Sequence, residues 1–139
     1  MESNKKCYRN ILFIITILVD LALIYIYFNY ELNFFDSFYI ITILFIHLLF
    51  LYALYVNNSK LIDFLHYFVA IYIGISIFLT NKQMLYLLLI FIIMIQLGWV
   101  VFQDCLINKI TNNSIGFGNY YSIIALIYTF IILFKIYYY

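Results

Sequence analysis

Five apolar runs, each near the length that crosses a bilayer, follow one another with almost nothing between them. They cover about residues 10–30, 37–56, 60–80, 83–104 and 119–138. A helix needs about 20 predominantly apolar residues to span a hydrocarbon core of about 30 Å. The segments between them, "ELNFFDS", "NNS", "NK" and "INKITNNSIGFG", are short and polar. Backbone groups in lipid must be paired within the segment, so each run is expected to be a helix. A barrel needs alternating polarity along each strand, and these runs do not alternate. The chain is therefore expected to be an all-α polytopic transmembrane helical bundle of five spans, forming a single membrane domain over residues 1–139. A four-span version remains open, with the run ending in "KIYYY" as the weakest.

Composition removes the soluble alternative. The chain is 68% hydrophobic and 9% charged, with a mean hydropathy of +1.08. A soluble domain carries about 25% charge, and 9% is too little to cover a surface in water. The 16 Tyr and 15 Phe accompany abundant Ile, Leu and Asn and no Pro, a pattern of A/T-rich codons, so the aromatics are weak evidence of function. Net charge is +1 with no basic stripe, and no nucleic-acid partner is expected. The lipid bilayer is the expected surrounding. The two cysteines, Cys7 and Cys105, form no CxxC and are expected as free thiols.

Charge sets an expected orientation. With five spans Lys5, Lys6, Arg9, Lys60 and Lys109 share one side, and Lys82 and Lys135 share the other with Glu31 and Asp36. Basic residues favour the cytoplasmic side, so the N-terminus is expected inside and the C-terminus opposite. The basic flank before the first long run, with no small-residue cleavage site after it, reads as a retained signal anchor. The sequons Asn57-Asn58-Ser59 and Asn112-Asn113-Ser114 then fall on the cytoplasmic side, where they would stay unmodified. Asp36, Ser59, Asn81 and Asn119 stand where helix N-caps are needed.

Polar residues inside the spans carry the functional information. Asp20 is near the middle of the first run, and a charge there costs about 2.5–3.5 kcal/mol on insertion scales. It must face protein or water, and Thr16 shares its helical face. His47 is the midpoint of the second run. The third carries "DFLH", with Asp63 and His66 on one face at i and i+3. Counted from the turn at Asn58, His47 and His66 differ in depth by about 4–5 Å, and Asp20 lies at a similar depth. The three are expected to form one buried cluster with Asp63 nearer the cytoplasmic surface. On the fourth run Gln96, Trp99 and Gln103 form a stripe that leads to Asp104 at a membrane exit, where Trp and polar groups are normal. Gln96 alone is deep, and is expected to hydrogen-bond across helices. Ala70 and Gly74, and Ser122, Ala125 and Thr129, form small-residue faces expected to pack.

"NKQMLYLLLIFIIMIQLGWVVFQDCLINKI" resembles small multi-span proteins of large DNA viruses and other AT-rich genomes. The shared features are a polar turn, an apolar helix, then Trp99, Cys105 and Asn108. They cover about a fifth of the chain. The resemblance implies a viral membrane protein and brings no chemistry with it.

Three functions stay open. The first is a small oligomeric membrane component that conducts protons or cations through Asp20, His47, Asp63, His66, Gln96 and Asp104, because buried Asp and His mark such paths. The second is a non-conducting structural or interaction protein of a viral or organelle membrane, packed on itself or on other membrane proteins. The third is a haem or metal protein that uses His47, Asp63 and His66. That ligand set is minimal, so no cofactor is expected. No P-loop, HExxH, GxSxG or TVGYG is present and little chain remains outside the spans, so an enzyme is not the expected reading.

Overall fold

A computed structural model describes residues 2–102, 105–111 and 120–138. Among them the chain is helical and without strands: α1 (Glu2–Asn29), α2 (Phe34–Tyr55), α3 (Ser59–Ile75), α4 (Lys82–Phe102), α5 (Leu106–Thr111) and α6 (Tyr120–Tyr138). A 3-10 turn, Ser76–Phe78, follows α3 directly. Four helices are long and apolar enough to cross a membrane: Asn4–Asn29 within α1, α2, α3 with its 3-10 turn, and α4. The fifth expected span falls on a helix, α6, but its described apolar stretch, Ile123–Tyr138, is shorter and is not among these four.

The helices carry apolar residues on both their inward and their outward faces. Ile14, Leu18, Phe45 and Val100 point outward at 57–76% exposure, while other apolar residues of the same helices are buried. A helix apolar all round belongs in lipid or in the core of a large protein. The interior divides into two clusters. One is built from α1, α2, α4 and α6 around Ile40, Leu79, Leu85 and Ile132. The other joins α2, α3 and α5 around Ala53, Leu54, Ile62 and Ile110.

Local chemistry sets most of the boundaries. Asn33 caps α2 by accepting the Asp36 N–H at 2.7 Å, and Asn58 caps α3 by accepting the Leu61 N–H at 3.1 Å. Asp36 and Ser59, expected as caps, are helical residues instead, because the asparagine before each already satisfies the first turn. Asn81 does cap α4, accepting from Gln83 and Met84 at 3.0 and 3.1 Å. Asn119 lies outside the described residues. Between α2 and α3 the chain reverses at Asn57, whose φ of 55° is left-handed, a region Asn tolerates better than most residues.

Other expectations are corrected. The third span is not one helix to residue 80: α3 stops at Ile75, and Leu79 is extended. The buried Asp36 carboxylate accepts from Thr80 and Asn81, which draws their N–H groups out of helical register. The segment read as a polar loop after the fourth span contains α5, because Ile107 and Ile110 share one face and bury it against α1 and α3. The Ala70–Gly74 face is not a tight contact, since a Cβ added at Gly74 meets nothing within 4 Å. The first helix also begins earlier than residue 10, at Glu2.

Candidate functional site

α1 and α2 pack side by side, and their facing surfaces bring Asp20 to His47. The Nδ1 of His47 is 2.6 Å from Oδ1 of Asp20, and the two side chains are 9% and 16% exposed. An isolated charge in an apolar interior is costly, and a short contact to an opposite partner offsets much of that cost. Thr16, one turn away, does not join the pair. Its hydroxyl donates to the Leu12 carbonyl of its own helix at 2.8 Å.

His47 also lines a half-open pocket of about 50 Å³ between α1, α2, α3 and α4. Its other walls include Val19, Tyr39, Tyr72, Ile73, Leu79 and Phe91. A water needs about 10–15 Å³ of such space, so the pocket has the volume of about three waters. Tyr39 spans the cavity wall and donates to the Tyr72 carbonyl at 3.1 Å.

Two walls of the pocket, Ile73 and Leu79, flank the break after α3. A helix that ends inside a bundle leaves carbonyls without intrahelical partners. Here α2 and α6 supply them. The Tyr128 hydroxyl of α6 donates to the Ile73 carbonyl and lies 2.7 Å from the Ser76 hydroxyl. Lys135 of α6 donates to the Ile77 and Leu79 carbonyls, at 2.6 Å each. Beyond them the Asp36 carboxylate, 1% exposed, accepts from the Thr80 N–H at 3.2 Å, the Thr80 hydroxyl at 2.9 Å and the Asn81 N–H at 2.9 Å. Asn33 donates to the same Thr80 hydroxyl at 2.6 Å. Three segments distant in sequence are thus tied at one end of the bundle.

Of the six residues expected on a path, the structure joins Asp20 and His47 directly. His66 sits at the other end, with Nε2 4.0 Å from Cys105 Sγ, next to α5. Its Nδ1 is buried with no hydrogen-bond partner among the described residues. Asp63 is buried on the same face of α3. Similar depth does not bring His66 to His47: His47 turns to α1, whereas His66 turns to the segment before α5. Among the described residues no three of His, Cys, Asp and Glu gather as a metal ion requires. Gln96 donates to Thr129 of α6 at 3.1 Å, the interhelical bond expected of it. Asp104 and Gln103 lie outside the described residues.

Sequence reasoning passed over two residues that matter here. Asp36 reads as a cap because it stands in a polar loop near Asn33. Lys135 reads only as a charge on the side opposite the N-terminus. Apart from the Thr80 hydroxyl on Asp36, the partners of both are backbone groups at residues 77–81, and no side-chain pattern announces a backbone partner.

The chain matches no known protein family, no curated protein and no solved structure.

Proposed function

We propose that this protein is a small integral membrane bundle that passes protons, with the Asp20–His47 pair as the exchange site. The observation that carries the reading is the 2.6 Å contact between a carboxylate and an imidazole inside apolar helices. Such a pair can hold a proton on either partner, and His47 opens that proton to the pocket. Ionisable residues in membrane spans are rare and mark ion pathways and proton relays. Asp63 and His66, at the other end of α3, are the groups through which a proton would reach the cytoplasmic side.

The orientation that goes with this reading has the N-terminus in the cytoplasm. α6 is then the fifth crossing. Its 19 residues rise about 28 Å, close to the hydrocarbon thickness. It runs antiparallel to α4, with Lys135 at the end where α4 begins.

A non-conducting scaffold of a viral or organelle membrane is the competing reading. The largely apolar walls of the cavity favour it, because apolar cavities of modest size stay dry. Proteoliposomes separate the two. A pH gradient imposed across vesicles containing the wild type should collapse faster than across empty vesicles, and Asp20→Asn and His47→Gln should each remove the difference while retaining helix content. Equal rates in wild type and empty vesicles would leave the scaffold.

A further inference from the structure

The end of the bundle where α1 begins collects most of the chain's positive charge. Ile62 of α3 and Ile107 and Ile110 of α5 share one buried apolar cluster, and Tyr8 of α1 and Leu61 of α3 pack against it. Each of these three helices carries a cation one residue from that cluster. Arg9 follows Tyr8, Lys60 precedes Leu61, and Lys109 precedes Ile110. Packing therefore gathers basic residues that are far apart in sequence. Lys5 and Lys6 extend the group along the first turns of α1. Tyr8 meets the Phe102 ring of α4 edge-on at 5.6 Å, which holds those turns against the bundle.

The charge at this end is not neutralised from within. Among the described residues no carboxylate pairs with Lys5, Lys6, Arg9 or Lys60. Lys6 and Lys60 are exposed, and Lys5 and Arg9 are half-buried. The acidic residues that the sequence places here, Glu2, Asp63 and Asp104, are fewer than the cations. Asp63 is also buried. At the opposite end Lys82 and Lys135 are matched in number by Glu31 and Asp36.

We infer that this end is a binding site for the headgroup of a phospholipid that carries more than one negative charge, held between cations of α1, α3 and α5. Long basic side chains at the end of a span lay their stems along apolar surface and carry their charge to headgroup level. Basic pockets between spans take lipid phosphates in this way. A headgroup with two phosphates reaches cations on two helices at once, and a headgroup with one does so less well. The inference does not use the conduction reading. It takes from the section above only the orientation, which sets this end at the anionic cytoplasmic leaflet.

The plainer role of these cations is to keep the N-terminal side in the cytoplasm by their total charge. Lipid selectivity and position separate the two. The full chain would be placed in phosphatidylcholine bilayers containing cardiolipin or phosphatidylserine at equal total charge. Native mass spectrometry then reads the lipid that stays bound on release. The wild type should keep cardiolipin in preference to phosphatidylserine. Arg9→Gln and Lys60→Gln should each lower that retention by about fivefold, the scale of one basic residue near an anionic surface, with helix content unchanged. Lys60→Arg, which keeps the charge, and Lys82→Gln, at the opposite end, should retain cardiolipin as the wild type does. Equal retention of the two lipids, or equal losses in Lys82→Gln and Lys60→Gln, overturns the site and leaves a charge that only orients the chain. A loss in Lys60→Arg as large as in Lys60→Gln overturns it too, because packing rather than charge would then be at work. Displacement of the bound lipid by inorganic phosphate would give the site to free phosphate and overturn the lipid as its ligand.

Discussion

Replacing Asp36 tests whether one carboxylate holds the end of the bundle together. It is 1% exposed and accepts three hydrogen bonds, from the Thr80 N–H, the Thr80 hydroxyl and the Asn81 N–H. Bonds to a charged acceptor contribute about 1.5–3 kcal/mol each, and a buried donor left without a partner costs about 1–3 kcal/mol. The sum is not additive, and two relaxations reduce it. Thr80 is exposed enough for water to reach its N–H, and its hydroxyl keeps Asn33 as a partner. Asp36→Ala should therefore lose about 3 kcal/mol, mainly from stranding the Asn81 N–H and freeing the 79–81 segment. Asp36→Asn retains an acceptor oxygen of the same reach and should lose about 1–2 kcal/mol. Reversible unfolding in mixed micelles, driven by SDS and read by helix circular dichroism, measures both. A loss below about 1 kcal/mol for Asp36→Ala would refute the reasoning, because a single charged bond of this kind already contributes more.

Further outcomes follow from other contacts. A double-mutant cycle on Gln96→Leu and Thr129→Val should give a coupling of about 0.6 kcal/mol and no more than about 1.7, the range for polar contacts between membrane helices; zero coupling would mean that α4 and α6 are not joined there. Asn57→Gly should leave stability unchanged or raise it, whereas Asn57→Val should cost about 1–2 kcal/mol, because φ is 55°; equal stabilities in thermal unfolding would contradict a left-handed turn. The exposed Cys7 should react with a membrane-impermeant maleimide in inside-out vesicles and stay unlabelled in intact cells; the opposite pattern would invert the orientation.

Much of the helical architecture is legible because lipid imposes it. Long apolar runs between polar turns have one economical backbone solution, and α2 and α4 begin and end within a few residues of the expected limits. Depth is legible for the same reason: residues counted from a short turn fix distance along the axis, and this suffices to place Asp20 level with His47. Rotation about the axis is not legible in runs that are apolar on every face. His66 is at nearly the right depth and turns toward Cys105 instead. The extended 79–81 segment after the break is hidden because Asp36, which binds it, is 44 residues away from Thr80. α5 is hidden because six residues with Ile107 and Ile110 on one face are too few to show a helical period. Gly74 invites close packing by its size, but no neighbour comes near it, and size alone does not bring a second helix.

The central claim is the contact between Asp20 and His47, and the chain's two histidines make it directly measurable. Solid-state nitrogen NMR of histidine-labelled protein in bilayers resolves the imidazole signals of His47 and His66. Asp20→Asn should move the His47 ring signals and leave those of His66 unchanged, because the carboxylate sits 2.6 Å from His47 Nδ1 while His66 contacts Cys105. If neither histidine responds, or His66 responds in place of His47, the pair does not exist in the membrane and the proton path built on it fails.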